Sequence, residues 1–124
     1  MINLTITQLH EGFKKKEFTS TEVTKAYLEK IKNTDDKIGA YLSVTEGLAL
    51  KQAAEADEKI LQYHSGQVAG DFSLLTGIPC AIKDNILVEG EKATAASKIL
   101  ENYVAPYDAT VVAKLKEEGA IILG

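Results

Sequence analysis

The sequence predicts an α/β fold whose first half is helical and whose second half supplies the strands. Two capping boxes near the start each open an amphipathic run. A third periodic run, Glu46 to His64, carries an apolar stripe that is small at one end and bulky at the other. After it come two apolar stretches, Ile78–Ile82 and Ala120–Leu123, with a helical pattern between them. Strand, helix and strand in that order indicate a sheet with helical cover.

The elements follow in order. Thr5-Ile6-Thr7-Gln8 fits a capping box and predicts a short helix to about Lys15. Thr19-Ser20-Thr21-Glu22 is a second box, with Phe18 and Val23 placed as a hydrophobic staple. Val23, Ala26, Tyr27 and Ile31 then fall at helical spacing, and the polar stretch Asn33–Lys37 is expected to end that helix. Ala40–Val44 alternates weakly and suggests a short strand. In the long helix that follows, Ala49, Ala53, Ala56, Ile60 and Tyr63 form a packing face, because small residues let a helix lie close to its neighbour.

Turn residues interrupt the chain at Ser65–Gln67 and Ala69–Asp71. Leu74–Asn85 reads as a buried strand leaving a Gly77 turn, Ile86–Val88 as a second extended piece, and Glu89–Ser97 as a loop. Pro106 keeps Tyr103–Tyr107 irregular. Asp108 is placed to cap a helix over Ala109–Glu118, with Val111, Val112 and Leu115 inward and Gly119 as the stop. Ala120–Leu123 starts a buried strand, and that strand, an interior one short of neighbours, is expected to expose an apolar edge. The chain ends just where an α/β sheet would place a working loop, so residues 1–124 read as one domain's truncated N-terminal part.

Composition narrows the function. Hydrophobic residues at 45% and charged ones at 26% match an ordinary globular chain and disfavour disorder. No apolar run approaches the ~20 residues of a membrane helix, and Met1–His10 lacks a basic start with an apolar core, so a cytoplasmic chain is expected. A net charge of −4 with interleaved signs argues against a phosphate-binding face in this segment, and a partner subunit could supply one. Cys80 is the single cysteine, which excludes an internal disulfide; mid-strand among apolar residues, it reads as a small core residue. His10 and His64 lack ligand spacing and read as helix-surface residues, so no metal site is expected. Lys14-Lys15-Lys16 reads as a solvated helix end.

Lys83 is the residue that can carry chemistry. It ends the most apolar strand, where Ile78, Cys80 and Ile82 should share one face and Ala81 and Lys83 the other. From the residues alone it reads more readily as snorkelling or ion-paired than as catalytic, since buried lysines are rare. The run Gly77-Ile78-Pro79-Cys80-Ala81-Ile82-Lys83-Asp84-Asn85, however, resembles the lysine-bearing strand of the amidase-signature family. Further blocks agree in order: Thr94–Tyr103, Pro106–Val112, and Lys114–Ala120 leading into the last strand. The opening helices and Ala40–Val44 fit too, so the resemblance spans the chain. It is greatest to the tRNA-dependent amidotransferase branch, and there to the A-type subunit.

That resemblance implies an α/β/α fold around a mixed sheet, of which this chain is the N-terminal portion. It also implies a relay of a lysine, a serine on a cis peptide and a nucleophilic serine. Only the lysine has a counterpart here, Lys83; the glycine- and serine-rich segment with both serines would follow Gly124. The chain alone is therefore expected to be inactive. Ser97, although inside a matching block, reads as a loop or helix-start hydroxyl. A serine is a weak nucleophile until a base takes its proton, and burial favours the neutral amine that can do so. Asp84 and Asn85 are candidates to orient Lys83, although an adjacent carboxylate would favour the charged form.

The implied activity is release of ammonia from glutamine for transamidation of misacylated Glu-tRNA(Gln) or Asp-tRNA(Asn). The implied partners are amidotransferase subunits B and C. No cofactor is implied in this chain, and ATP with magnesium would sit on a partner. A stand-alone amide hydrolase of the same superfamily is the alternative within the family. A non-catalytic binding module is the alternative outside enzymology, and it needs no serines.

Overall fold

Both capping boxes form, and they set where the helices begin. In the computed structural model, which describes residues 2–124, α1 spans Ile6–Lys14. The Thr5 hydroxyl accepts the Gln8 N–H at 3.2 Å, while Gln8 Oε1 accepts the Thr5 N–H at 2.8 Å. The second helix, α2, spans Ser20–Ile38. Thr19 and Glu22 exchange the same two bonds, at 3.1 and 2.8 Å. Phe18 meets Phe13 edge-on at 5.5 Å and packs on the cluster containing Val23. A Cβ on Gly12 would lie 2.2 Å from the Phe18 ring, so this close approach requires glycine.

The polar stretch Asn33–Lys37 does not end α2. The helix continues to Ile38 and stops at Gly39, in the left-handed conformation at φ 66°. The Asp35 carboxylate accepts the N–H groups of Ala40 and Tyr41 at 2.8 and 3.1 Å, which satisfies the departing backbone. Helix α3 spans Glu46–His64 as its periodicity predicts, and Ala49, Ala53, Ala56 and Ile60 are buried. Its Asp57 reaches across to the start of α2 and accepts from Ser20 N, Thr21 N and Thr21 Oγ1 at 2.6, 3.1 and 2.6 Å. A carboxylate at a helix N-terminus is favourable on both hydrogen-bond and dipole grounds.

Strands are shorter than the apolar runs suggest. β1 is Pro79–Cys80 and β2 is Ile121–Ile122, paired in parallel with Pro79 opposite Ile121 and Cys80 opposite Ile122. Flanking bonds extend the ladder: Ile121 N–H to Ile78 O, Leu123 N–H to Cys80 O, and Ile82 N–H to Gly124 O, at 2.9, 2.9 and 2.8 Å. The rest of Leu74–Asn85 is turn or irregular, and Ile86–Val88 is not a strand. Ala40–Val44 is not one either. The outer edge of β2 is already occupied, because Gln52 Oε1 accepts the Ile122 N–H at 2.8 Å and Thr45 donates to Ile122 O and Leu123 O at 2.9 Å. Gln52 of α3 and Thr45, the residue before that helix, thus cover the edge that was expected to be exposed, and Ile121, Ile122 and Leu123 are all buried.

Alternation along β2 makes three layers. Ile121 and Leu123 pack on the alanine face of α3 with Tyr27, Leu28 and Ile31 of α2. Ile122 turns to the other side, against Val88 and Val112, with Cys80 and Ile82 beside them. Ile78 does not share a face with Cys80 and Ile82 as expected. It joins Leu9, Phe13, Val23 and Ile60, because Gly77 at φ 78° and the Ile78 N–H to Leu75 O bond turn the chain before β1 begins.

Helix α4 spans Thr110–Glu117 and also departs from expectation. Its N-cap is Ala109 and no side chain caps it. Asp108 instead takes both Lys116 contacts at 2.7 Å and the Glu89 N–H at 2.8 Å, tying the helix to the loop after β1. Burial opposes ionisation of Asp108, but these donors outweigh it and hold its pKa below the usual carboxylate value. Val112 is fully buried, Leu115 partly so, and Val111 is exposed. Among the described residues no helix is long and apolar enough to cross a membrane.

Candidate active-site cleft

A cleft of about 650 Å³ opens beyond the carboxyl end of β1, lined among others by Tyr41, Ser43, Lys83, Asp84, Ala95 and Ala96. Its position follows from the topology: parallel strands leave their carboxyl ends free of crossover helices, and loops gather there. Lys83 sits where the ladder has just ended, and its carbonyl accepts the Ile86 N–H at 2.8 Å to close a turn around Asp84-Asn85. Gly124 forms part of the far wall. A Cβ there would lie 2.2 Å from Ser43 O, so the chain passes that point only as glycine.

Lys83 is exposed within this cleft, and among the described residues its ammonium joins none of the ion pairs. Asn85 is exposed beside it on the same cleft. Asp84 does not turn toward the lysine. Its carboxylate accepts the Thr94 hydroxyl and, at 3.1 and 3.4 Å, the N–H groups of Thr94 and Ala96. The Thr94 hydroxyl is the main cause that holds the Asp84 pKa below its ordinary value; slight burial opposes it and the turn's N–H groups add to it.

Other residues singled out from sequence lie away from the cleft or play structural parts. Cys80 is half-buried on the Val88–Val112–Ile122 cluster, and burial pushes its thiol pKa up, away from nucleophile chemistry. Ser97 stands at the start of a 3-10 turn over Lys98–Leu100, without a side-chain capping bond. His10 is not on the surface as expected: it is only 6% exposed. Phe72 covers it with ring centroids 4.5 Å apart, and its Nε2 lies 3.6 Å from Asp71. His64, half-buried, shares a hydrogen bond of 3.1 Å with Phe13 O. Lys14 is not simply solvated either, for its Nζ lies 2.6 Å from the Asp71 carboxylate. Among the described residues no three His, Cys, Asp or Glu side chains group to hold a metal.

Sequence reasoning missed the wall formed by Tyr41, Ser43, Ala95 and Ala96. Ala95 and Ala96 adopt φ of 48° and 55°, a left-handed backbone that alanine disfavours, so nothing in their identity signals it. The Thr94–Ser97 spacing is polar and small enough to suggest a loop, and no more.

Residues 22–124 match the family model described as Amidase. Over all 124 residues the chain is 54% identical to the A-type subunit of glutamyl-tRNA(Gln) amidotransferase from Thermoanaerobacter pseudethanolicus, spanning 24% of that protein's length. The backbone superposes on native peptide amidase from Stenotrophomonas maltophilia with a TM-score of 0.82 at 32% identity, covering 96% of this chain and 23% of that one. It also superposes on the corresponding glutamyl-tRNA(Gln) amidotransferase subunit from Thermotoga maritima, with a TM-score of 0.60 at 34% identity over 85% of this chain and 19% of that one. Matched over residues 22–124 and sharing the backbone of solved amidase structures, this chain belongs to the amidase family.

Proposed function

We propose that this chain supplies the lysine-bearing part of a glutaminase site, in a subunit that releases ammonia for transamidation of Glu-tRNA(Gln) or Asp-tRNA(Asn). The observation that carries the reading is Lys83, at the carboxyl end of β1 in the cleft and outside the ion pairs of the described residues. A serine is a weak nucleophile until a base removes its proton, and a lysine amine in its neutral form can serve as that base. Lys83 then takes a proton from a bridging serine, which deprotonates the nucleophilic serine that attacks the glutamine carboxamide. Backbone N–H groups stabilise the resulting oxyanion. Both serines belong to family segments that this chain does not match, so activity requires that further polypeptide. The likeness to the Thermoanaerobacter protein supports the tRNA-dependent branch. That branch brings cytoplasmic subunits B and C as partners, with ATP and magnesium held on a partner.

A second reading has one observation in its favour. The backbone lies nearer the peptide amidase than the Thermotoga protein, with TM-scores of 0.82 and 0.60. On that reading the same lysine serves a stand-alone amide hydrolase.

The test is a chimera in which these 124 residues replace the matching segment of the Thermoanaerobacter protein, assembled with its partner subunits. Lys83→Ala, Lys83→Met and Lys83→Arg should each lower glutamine hydrolysis by at least about 100-fold, the usual cost of losing a general base. Ammonium chloride should still support transamidation in all three. A Lys83→Arg chimera with normal glutaminase activity ends the catalytic assignment, because arginine keeps the charge and cannot act as a base at neutral pH. A parent chimera that hydrolyses small amides without supporting transamidation favours the second reading.

A further inference from the structure

Asp84 stands next to the lysine in sequence and serves a different segment. Three consecutive peptide N–H groups converge on it: Thr94 and Ala96 donate to its carboxylate at 3.1 and 3.4 Å, and Ala95 donates to its carbonyl at 3.1 Å. The Thr94 hydroxyl adds a fourth bond to Asp84, the third to its carboxylate, and also accepts the Ala96 N–H at 3.2 Å. Inside this grip lie Ala95 and Ala96, both in the left-handed region. For an alanine that backbone is strained, and it persists only where the surroundings over-determine it. Bonds to an ionised carboxylate are among the stronger available to a surface turn. Both alanines line the same cleft as Lys83.

We propose that Asp84 is a positioning residue for the amide substrate: it clamps Thr94-Ala95-Ala96 in strained backbone as a preformed wall of the Lys83 cleft. The inference rests on the amidase reading of that cleft and assigns the wall's task as substrate binding. With its acceptors committed to the turn, the carboxylate acts on substrate through the shape of the wall and leaves the proton chemistry to Lys83. Preformed walls matter because ordering a loop around a ligand subtracts from its affinity.

The experiment has two arms. In the chimera described above, Asp84→Asn should raise the KM for glutamine about tenfold, the worth of one charge-assisted hydrogen bond. It should leave kcat within about threefold and the pH profile unmoved, as expected when ground-state and transition-state binding fall together. Thr94→Val should follow Asp84→Asn, while Thr94→Ser, which keeps the hydroxyl, should restore parental KM. In the 124-residue chain, Asp84→Asn should speed amide exchange at Ala95 and Ala96 and leave α3 protected. An unchanged KM overturns the proposal, and so does unchanged exchange at the two alanines. A fall in kcat with a displaced pH profile also overturns it, because Asp84 would then be acting on the charge of Lys83. Lys83→Met run in parallel separates the failures: full activity there strikes the amidase reading, whereas a dead Lys83→Met beside a normal Asp84→Asn strikes the clamp alone.

Discussion

Residues 5–64 hold themselves mainly by apolar stripes and by caps drawn from their own neighbourhood, as at Thr5–Gln8 and Thr19–Glu22. Residues 77–124 rely instead on side chains that bond backbone far along the chain: Thr45 and Gln52 on β2, Asp108 on Glu89, Asp84 on the Thr94–Ala96 turn. The first arrangement buries much surface and, among the described residues, holds one non-glycine residue in the left-handed region, Lys16 at φ 59° in the turn after α1. The second buries little around the cleft and keeps two alanines strained. The difference separates what folds the chain from what shapes the site. Irregular backbone can be held in one geometry only if its polar groups are individually met, and each such bond fixes a piece of the cleft.

The largest effect should come where the two halves meet. Ile121 is fully buried against the alanine face of α3. Ile121→Ala removes that contact and leaves a cavity, so unfolding by urea should reveal a loss of about 3 kcal/mol, within the ~2–5 kcal/mol of such truncations. If helical and near-ultraviolet signals still melt together, the halves form one cooperative unit. Separate transitions would break the comparison into two independent domains.

A smaller loss should follow from a long-range polar bond. Gln52→Leu keeps the side chain's bulk but leaves the Ile122 N–H without its acceptor. An unmet buried donor costs about 1–3 kcal/mol, and the same urea titration should show a loss of about 2 kcal/mol. Hydrogen exchange should locate the damage at β2 and the cleft, with α1 and α2 unaffected.

These contacts also explain what the sequence could reveal. Capping boxes, the stripe of α3 and the Gly119 stop are local patterns, and the elements formed where those patterns lie. The proposal for Lys83 comes from the Gly77–Asn85 block, and the structure places that residue in the cleft just beyond the short strand Pro79–Cys80. The failures share a cause. Asp108 looked like a cap because only its neighbours were visible, yet Lys116 and Glu89 claim it. Ala40–Val44 alternated like a strand, but Thr45 and Gln52 occupy the edge where it would pair. His10 has a polar side chain on an amphipathic helix, and Phe72, 62 positions away, covers it. None of these long-range claims leaves a periodic trace.

The smallest effect is the sharpest test, because one substitution should act with opposite sign in the two halves. Ala53 lies fully buried in the middle of α3. Ala53→Gly gives up about 1 kcal/mol of helix propensity and about 0.8 kcal/mol of methyl burial, so it should destabilise by about 1–2 kcal/mol. Ala96 is exposed at φ 55°. There glycine relieves about 1–2 kcal/mol of left-handed strain, against about 0.4–1 kcal/mol for the wider freedom of its unfolded chain. Strain relief wins, and Ala96→Gly should stabilise by about 0.5–1 kcal/mol. Thermal melts of the two variants would then move apart, one below and one above the parent. If Ala96→Gly destabilises like Ala53→Gly, the turn is relaxed and its bonds to Asp84 hold nothing under strain. If it stabilises, the cleft wall keeps a conformation that alanine alone would leave, and the Asp84 bonds are what retain it.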